Sequence, residues 1–386
     1  MFKSFARPWS VFMRRLVLVG GGHAHLSVLS ALRKDSLAID VVLVTPSSMQ
    51  TYSGMVPGWI SGRYNASDCL IDLAKLAEAA GVKLMLSQVT GMDANRRLVT
   101  LSNGDQLAYD YLSVDIGSTS NLSSFSEKNN HVVSLKPIGE FMQRWPEVLA
   151  QASKANDFKL CVIGGGAAGV EIAFAAQHAF ATHAPGANVT LVSSKSGVLP
   201  GHAVLVASQV RQLLLQRGIA VHESHATIVN NKVLLGNGER LQPDIIIAAT
   251  GSSPASWLAS SNLALDKDGY ISVDKSHRSI SHQNVFAAGD VCSRTDVIMT
   301  RSGVHAVFAG PVLAHNLYSS IRGGTFIQYR PRKKSLYILA TGPKHAIASW
   351  GRLSLAGRWV WYWKNWIDRR FMKKYNANLT IGGIKC

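Results

Sequence analysis

Two glycine-rich segments carry the residues whose spacing suggests chemistry, and the first spans residues 20–25, which read GGGHAH. The apolar run Leu16–Val19 precedes it, and apolar residues at helical spacing follow it. Gly20 would allow a tight turn, and Gly22 would let N–H groups at a helix N-terminus approach a pyrophosphate. His25 stands where the third glycine of a G-x-G-x-x-G fingerprint belongs, so we expect looser packing of helix on strand. Alone, this segment fits a dinucleotide site and a simple strand–turn–helix equally well.

The second segment begins about 144 residues later and matches the fingerprint fully. An apolar strand, Leu160–Ile163, leads into Gly164, Gly166 and Gly169, and a helical pattern containing Glu171 follows. Strand, glycine turn and helix in this order are the context that a dinucleotide fingerprint requires.

Both segments lack the acidic residue that normally ends the next strand of such a unit. Residues 45–46 are Thr-Pro after the first, and residues 193–195 are Ser-Ser-Lys after the second. An acid there would bind a ribose 2′-hydroxyl and repel a 2′-phosphate. The sequence therefore leaves the choice between NADH and NADPH open.

Three further segments complete the pattern. Residues 110–118 and 244–252 share one design, an acid, an apolar strand and a glycine turn, and each would close one nucleotide-binding unit. Residues 284–290 form a strand that ends in Gly289-Asp290, where the acid can accept a hydrogen bond from a flavin ribityl hydroxyl. These fragments in this order are far more specific than any one of them, and they predict both a flavin and a nicotinamide site.

The net charge of +17 is confined to the two ends of the 386-residue chain. Residues 1–15 carry four basic and no acidic side chains, and residues 322–386 carry fourteen basic and one acidic. Residues 16–321 are balanced, with 22 of each sign. A neutral body argues against nucleic-acid binding, and basic ends favour contact with an anionic surface.

Composition and cysteine usage exclude several other classes. Hydrophobic residues make up 47% of the chain, which indicates a large folded core. The chain contains no run of 18 apolar residues, so the sequence predicts no transmembrane helix. Residues 1–12 look appended, with a transit peptide as the alternative. Four scattered cysteines predict no zinc site and no dithiol centre, and they favour a reducing, cytoplasmic compartment. The histidines at 23, 25, 305 and 315 are spread over more than one element without a supporting carboxylate cluster, so we expect structural roles and no metal site.

Together these segments resemble the pyridine nucleotide–disulfide oxidoreductase superfamily. Its disulfide branch has a C-x4-C pair after the first acid-position strand, whereas this chain has TYSGMVPG at residues 51–58. The chain thus resembles the branch without a redox disulfide, which is similar to type II NADH dehydrogenases. Residues 20–25, 51–58, 301–307 and 329–372 look like NADH-dehydrogenase-like proteins also found fused ahead of selenide, water dikinase. The resemblance covers about residues 13–375.

The resemblance implies an α/β fold with two Rossmann-like dinucleotide-binding domains, the FAD domain being interrupted by the NAD(P) domain. The FAD domain would comprise residues 13–125 and 279–325, and the NAD(P) domain residues 126–278. Residues 326–386 would form a C-terminal region with a short β hairpin and an amphipathic helix, which caps the flavin and meets the membrane. Electrons would pass from NAD(P)H through FAD to a quinone or similar small acceptor.

The resemblance also assigns individual residues. Those that would bind FAD are Gly20, Gly22, His23, Ala24, Thr45, Pro46, Met55, Val89, Gly117, Gly289, Asp290, Gly303 and Val304. Those that would bind NAD(P)H are Gly164, Gly166, Ala167, Ala168, Gly169, Ser193, Ser194, Thr250 and Gly251. Glu171, near the nicotinamide–flavin contact, and Arg301, as a positive charge beside the flavin, are the catalytic candidates.

Alternatives accompany these assignments. Glu171 could be a first-turn glutamate favoured by the helix dipole, and Arg301 could pair with a surface carboxylate. Sulfide:quinone reductase chemistry is a rival, but it needs a cysteine pair, and only Cys292 lies near the expected flavin. A flavoprotein whose redox state gates binding to a partner, without turnover, is the rival from a different class.

Residues 358–375 are rich in tryptophan, lysine and arginine. On a helix, one side would hold Trp359, Val360, Trp363, Trp366 and Ile367. Tryptophan flanked by basic residues is typical of a helix at an anionic membrane surface, so we expect peripheral binding to the inner face of the membrane. The alternative is a tail packed on the protein's own body or on a second copy in a homodimer. Residues 328–339 and 345–350 predict the preceding hairpin.

Overall fold

Two parallel β-sheets with helices on them organise the chain in the computed structural model, which describes residues 13–122, 125, 131–332 and 334–376. The predicted α/β fold class with two Rossmann-like units is therefore confirmed. The expectation of an appended or transit segment concerns residues 1–12, which lie outside the described residues.

Eight α-helices and four short 3-10 helices occur in the described part of the chain. The α-helices are α1 His23–Lys34, α2 Val56–Ile60, α3 Leu73–Ala79, α4 Ile138–Lys154, α5 Ala167–His183, α6 Val204–Gln216, α7 Gly303–Arg322 and α8 Arg358–Asn376. The 3-10 helices are Ser53–Met55, Ala66–Cys69, Ser256–Ser260 and Gly289–Val291.

The first parallel sheet is buried on both faces. Its strands, in spatial order, are Val285–Ala287, Tyr111–Val114, Arg15–Val19, Asp40–Thr45 and Lys83–Leu86. Leu16 and Leu18 belong to a core shared with α1 and α7, whereas Val17 and Val19 belong to the opposite one. That second core lies against an antiparallel sheet of Val89–Asp93, Leu98–Leu101 and Gln106–Ala108. Side chains alternate between the faces, so an apolar run such as residues 16–19 serves both cores.

The second parallel sheet repeats this design. Its strands, in spatial order, are Val132–Ser134, Ile245–Ala248, Lys159–Ile163, Asn188–Ser193 and Ala220–Glu223. Residues of α4 and α5 cover one face, and an antiparallel sheet covers the other. The strands of that antiparallel sheet are Ala226–Val229, Lys232–Leu235 and Arg240–Leu241.

Short two-stranded pairings position the loops around the sheet ends. Thr119–Ser120 pairs with Ser252–Ser253, so the segments that close the two units contact each other directly. The remaining pairs are Met49–Thr51 with Leu70–Asp72, and Ile271–Val273 with Cys292–Arg294.

The C-terminal region is a three-stranded antiparallel sheet followed by α8. The predicted hairpin was incomplete, because the strands are Leu336–Gly342, His345–Trp350 and Leu353–Gly357. The first strand begins later than predicted and continues through Gly342, and the turn falls at residues 343–344. The third strand was missed because its alternating leucines, Leu353 and Leu355, point to solvent and not to a core.

Helix α8 packs on the body of the protein with one face and exposes the other. Val360 is fully buried, whereas Trp359 and Trp366 are 54% and 56% exposed. The prediction that Val360 shares a side with these tryptophans was therefore wrong. Adjacent helical positions lie about 100° apart, and Val360 faces the C-terminal sheet. The inner face also reaches the flavin unit, where the Phe371 ring stacks on Tyr52 with centroids 4.4 Å apart.

Candidate active site

The first glycine turn joins the strand Arg15–Val19 to α1. A Cβ atom on Gly22 would overlap the carboxyl group of Asp115, so no larger residue fits. The side chain of Asp115 accepts hydrogen bonds from the backbone N–H groups of Ala24 (2.8 Å) and His25 (2.9 Å). The start of α1 is thus held against the end of the neighbouring strand.

His25 replaces the third glycine without loosening the packing. Its Nδ1–H donates to the Gly20 carbonyl over 2.6 Å, and its Nε2 accepts from the Ser113 hydroxyl over 2.8 Å. The carbonyl can only accept, so Nδ1 carries the proton. Burial lowers the pKa of His25 to about 4, which keeps the ring neutral. The expected looser packing of helix on strand stays a prediction, and the imidazole links α1 by hydrogen bonds to the turn and to the neighbouring strand.

His23 is the polar group of this turn that lacks a partner. Its Nε2 atom is buried and has no hydrogen-bond partner among the described residues. A buried nitrogen without a partner is costly, and this one lies one residue after the Gly22 turn. Burial lowers the pKa of His23, although Asp115 and Asp290 oppose the shift. A ligand at this turn would satisfy the nitrogen, so the residues present fit a dinucleotide.

The Gly289-Asp290 turn lies next to the first one. A Cβ on Gly289 would sit 2.7 Å from Asp115 Oδ1, so both glycine turns adjoin the same carboxyl group. Asp290 Oδ2 pairs with the Lys136 ammonium at 2.8 Å, and Lys136 also donates to the hydroxyls of Ser118 and Ser252. Lys136 therefore links the closing segments of both units to the predicted ribityl-binding acid.

Arg301 lies within ion-pair distance of a carboxylate, as its alternative interpretation predicted. Its guanidinium lies 3.4 Å from the centre of the Tyr270 ring and 3.6 Å from Asp266, and its buried Nε has no partner in the described part of the chain. It also lines a small pocket together with Asp290 and Cys292. The assigned flavin contact of Arg301 stays a prediction.

The second glycine turn is sterically tighter than the first. A Cβ on Gly169 would overlap the Gly164 carbonyl, and one on Gly164 would overlap the Ala249 carbonyl. The third glycine is thus required here by the close approach of α5 to the turn. Ser193 Oγ is buried without a partner among the described residues, Ser194 is exposed, and the Thr250 hydroxyl donates to the Asn121 carbonyl.

Glu171 lies in the second turn of α5 and is half-buried, so the first-turn interpretation was wrong. Its Oε1 accepts the N–H of Ala340, from the C-terminal sheet, over 2.8 Å. Burial raises the pKa of Glu171 to about 7, and the nearby ammonium of Lys364 opposes the shift.

Lys364 and Asp368 of α8 complete a buried charged cluster that sequence reasoning missed. Lys364 Nζ donates to Asp368 Oδ2 over 2.9 Å and to the Gly54 carbonyl over 2.8 Å. The Tyr52 hydroxyl donates to Asp368 Oδ1 over 3.0 Å. Burial alone would lower the pKa of Lys364, but Asp368 and Glu171 outweigh it and raise the pKa. We call Glu171, Lys364, Asp368 and Tyr52 the buried charged cluster.

The remaining predicted residues fall into two groups. Thr45 and Pro46 end a strand of the first sheet, Gly117 follows another, and Gly303 and Val304 begin α7. Carboxyl ends of parallel strands meet at one edge, so the first three share an edge with the Gly20 turn. Met55 is buried beside α2, and Val89 starts the antiparallel sheet on the far face.

Residues 14–310 match the pyridine nucleotide-disulphide oxidoreductase family. This chain belongs to that family. Among similar proteins, the ferroptosis suppressor protein 1 of Taeniopygia guttata is 24% identical over 82% of this chain and 83% of its own length. The NADH oxidase of Lactococcus lactis is 27% identical over 78% of this chain and 70% of its own. The solved sulfide:quinone oxidoreductase of Aquifex aeolicus is 17% identical, with a TM-score of 0.78 over 94% of this chain and 92% of that one.

This membership confirms the family that the sequence motifs predicted. The protein is therefore a flavin-dependent oxidoreductase that uses FAD and NAD(P)H. The glycine cradles and the unpartnered His23 nitrogen agree with that membership. Within the described residues, no group of three or more His, Cys, Asp or Glu side chains could hold a metal ion. Nor does any described helix have the length and apolar character to cross a membrane.

Proposed function

We propose that this oxidoreductase passes electrons from NAD(P)H through FAD to a quinone or a similar small acceptor. The observation that supports this most is the buried charged cluster, because three parts of the chain meet there. Glu171 comes from the nicotinamide unit, Tyr52 from the loop of the flavin unit, and Lys364 from the C-terminal helix. A site for the acceptor bounded by all three would be closed off from water.

The proton balance of the reaction gives the cluster its role. Reduction of a quinone to a quinol takes two electrons and two protons, and one hydride supplies both electrons with one proton. FAD, when bound, supplies the hydride and electron chemistry. Lys364 stays protonated at neutral pH because its pKa is raised, and Glu171, with a pKa of about 7, can pass a proton near neutrality. We propose that these two groups deliver the remaining proton.

For the cofactors we propose the contacts that the glycine turns favour. The amides and unpartnered ring of the Gly20–Ala24 turn would hold the FAD pyrophosphate, and Asp290 would hold the ribityl chain. The Gly164–Gly169 turn would hold the NAD(P)H pyrophosphate, with Ser193 and Ser194 near the ribose. Arg301 would place its positive charge beside the flavin after leaving Asp266.

The nicotinamide site should discriminate poorly between NADH and NADPH. Residues 193–195 offer no acid to repel a 2′-phosphate, and Lys195 is exposed beside them. Flavin reduction rates with the two nucleotides should differ by less than about a thousandfold, which is about 4 kcal/mol at 1.36 kcal/mol per decade. Stopped-flow reduction measures this, and Ser194→Asp should shift the ratio towards NADH. A larger ratio in the unmodified protein, or no shift in the variant, contradicts the prediction.

We propose that the outer face of α8 and the edge of the C-terminal sheet bind an anionic membrane surface. The exposed apolar side chains there are Trp350, Leu353, Leu355, Trp359, Tyr362 and Trp366. Arg369, Arg370 and Lys373 are exposed on the same helix. Exposed aromatic residues flanked by cations match the chemistry of lipid headgroups and interfaces. A lipid-dissolved acceptor would then be close to the buried charged cluster on the inner face of the same helix.

Flotation with anionic liposomes should recover the full-length protein at low salt. Each basic residue near the surface contributes about 1 kcal/mol, which salt screens, whereas the tryptophan contribution is not screened. Binding should therefore weaken with salt without vanishing. At high salt, where the basic residues are screened, the double substitution Trp359→Ser and Trp366→Ser should abolish flotation, and Phe308→Ser, at an exposed site on α7, should not. If both variants float equally, this face is a packing or dimerisation surface.

Sulfide chemistry is disfavoured by the state of the cysteines. Cys69, Cys161 and Cys292 are free and buried, and burial raises the pKa of each to about 12. None of these three thiols supplies the thiolate that attack on sulfur would need.

The rival of a redox-gated binding protein is tested by steady-state NAD(P)H oxidation with a panel of acceptors. Sustained turnover with a short-chain quinone supports the enzyme, and a single cofactor reduction without turnover supports the rival.

A further inference from the structure

One position that the two nucleotide-binding units share holds an acidic residue in the first unit and an alanine in the second. Both closing segments end in Gly-Ser, at residues 117–118 and 251–252, and the second residue before that glycine is Asp115 in one and Ala249 in the other. The two residues occupy the same place in the fold, because their carbonyls lie against the first glycine of each turn, Gly20 and Gly164. The flavin unit therefore carries a carboxyl group where the nicotinamide unit carries a methyl group.

The Asp115 carboxyl group lies where an anionic ligand would meet it. Its Oδ2 accepts the first-turn amides of Ala24 and His25, and Oδ1 adjoins both Gly22 and Gly289. The residue is 2% exposed. These glycines belong to the turns that fit the cofactor, so a bound pyrophosphate and this carboxyl group compete for the same amides.

The surrounding groups do not offset a second negative charge. The titratable groups that face Asp115 or its neighbour Asp290 are His23 and His25 on α1, Tyr270, Cys292, His305 and Lys136. Arg294 and Arg301 line the same pocket as Asp290, and they lie within ion-pair distance of Asp296 and Asp266 respectively. Burial keeps both α1 imidazoles neutral and the Cys292 thiol protonated, and Lys136 is paired with Asp290. Burial likewise raises the pKa of Asp115 to about 6, so it is largely ionised at pH 7.5 before the cofactor enters. FAD brings two further negative charges, and like charges in a buried site favour protonation of the weaker acid.

We propose that Asp115 takes up one proton from solvent when FAD binds and then donates a hydrogen bond to the cofactor. The complex thus forms from protein, FAD dianion and one proton, with no redox step. A proton bound only in the complex makes affinity fall as pH rises, by up to tenfold per pH unit, from about pH 6 to the pKa of the complex. The proposal rests on the FAD site and not on the identity of the electron acceptor.

The test measures FAD affinity, not enzyme activity. Full-length holoprotein is diluted at pH 6.5, 7.5 and 8.5, and FAD release is followed by its fluorescence. The dissociation constant should rise at least tenfold across this range. Asp115→Asn, which mimics the protonated acid, should keep FAD and lose the pH dependence, and Asp115→Ala, which copies the second unit, should also lose it. His23→Gln removes the other titratable group of the turn. It should leave the pH dependence of the FAD dissociation constant unchanged.

Calorimetry supplies an independent proton count. FAD is titrated into the deflavinated full-length chain at pH 7.5 in two buffers with different ionisation enthalpies. Close to one proton should be taken up per FAD in the unmodified protein and none in Asp115→Asn. A dissociation constant that changes less than twofold with pH overturns the proposal. A slope that persists in Asp115→Asn but disappears in His23→Gln also overturns it, because His23 would then carry the proton.

Discussion

Replacing Lys364 with methionine is expected to lower the turnover number for quinone reduction by about a hundredfold or more. A positioned proton donor contributes about 10²- to 10⁴-fold to such a step, and Lys364 is the ammonium of the buried charged cluster. Reduction of the flavin by NAD(P)H should stay close to the rate of the unmodified protein, since that half-reaction needs no proton from Lys364. Stopped-flow measurement of the two half-reactions separates these rates.

Two further variants make this prediction specific. Lys373→Met removes a lysine from the exposed side of the same helix and should leave turnover with a short-chain quinone in solution unchanged. Glu171 holds its proton below a pKa of about 7 and loses it above, so turnover should fall as pH rises through 7. Glu171→Gln cannot ionise and should remove that decline. Equal effects of Lys364→Met and Lys373→Met, or slowing of flavin reduction alone, would contradict the proposed role.

Replacing Asp290 with alanine is expected to weaken FAD binding by about ten- to a hundredfold. A charged hydrogen-bond acceptor contributes about 1.5–3 kcal/mol, and the ribityl chain would lose it. The substitution also leaves Lys136 without its carboxylate partner. Ultrafiltration followed by absorbance measures the FAD retained.

Asp290→Asn and Asp35→Ala are the matched controls. Asp290→Asn keeps the shape but not the charge, so it should retain more FAD than the alanine variant. Asp35→Ala removes an exposed ion pair with Arg322 from the same unit and should retain FAD fully. Full retention in Asp290→Ala would show that the ribityl chain binds elsewhere.

The two glycine turns were predictable because their steric demands lie within a few neighbouring residues. Gly169 is required by the carbonyl of Gly164, five positions earlier, and that relation is visible in the spacing alone. His25 could be seen to break the pattern, but its compensation could not be foreseen. The ring bonds Ser113, 88 residues away, and no sequence rule predicts that contact.

Lys136 and Lys364 were missed for the same reason. Lys136 meets Asp290, which is 154 residues away, through a fold that brings both units together. Lys364 was counted among the basic residues that flank the tryptophans of an interfacial helix, and that interfacial role stays a prediction for the outer face. One signal did exist, since Asp368 is the only acid in residues 322–386 and follows Lys364 by four positions. Side chains four positions apart lie on the same side of a helix, so the spacing allowed an ion pair between them.

Anaerobic reoxidation of the NADH-reduced protein by a short-chain quinone tests the central proposal most directly. The protein is reduced with one equivalent of NADH, mixed with the quinone in a stopped-flow instrument, and the flavin absorbance is followed. The proposal predicts return of oxidised-flavin absorbance with one quinol formed per flavin, at a rate that accounts for steady-state turnover. A reduced flavin that persists in the presence of excess quinone would contradict it.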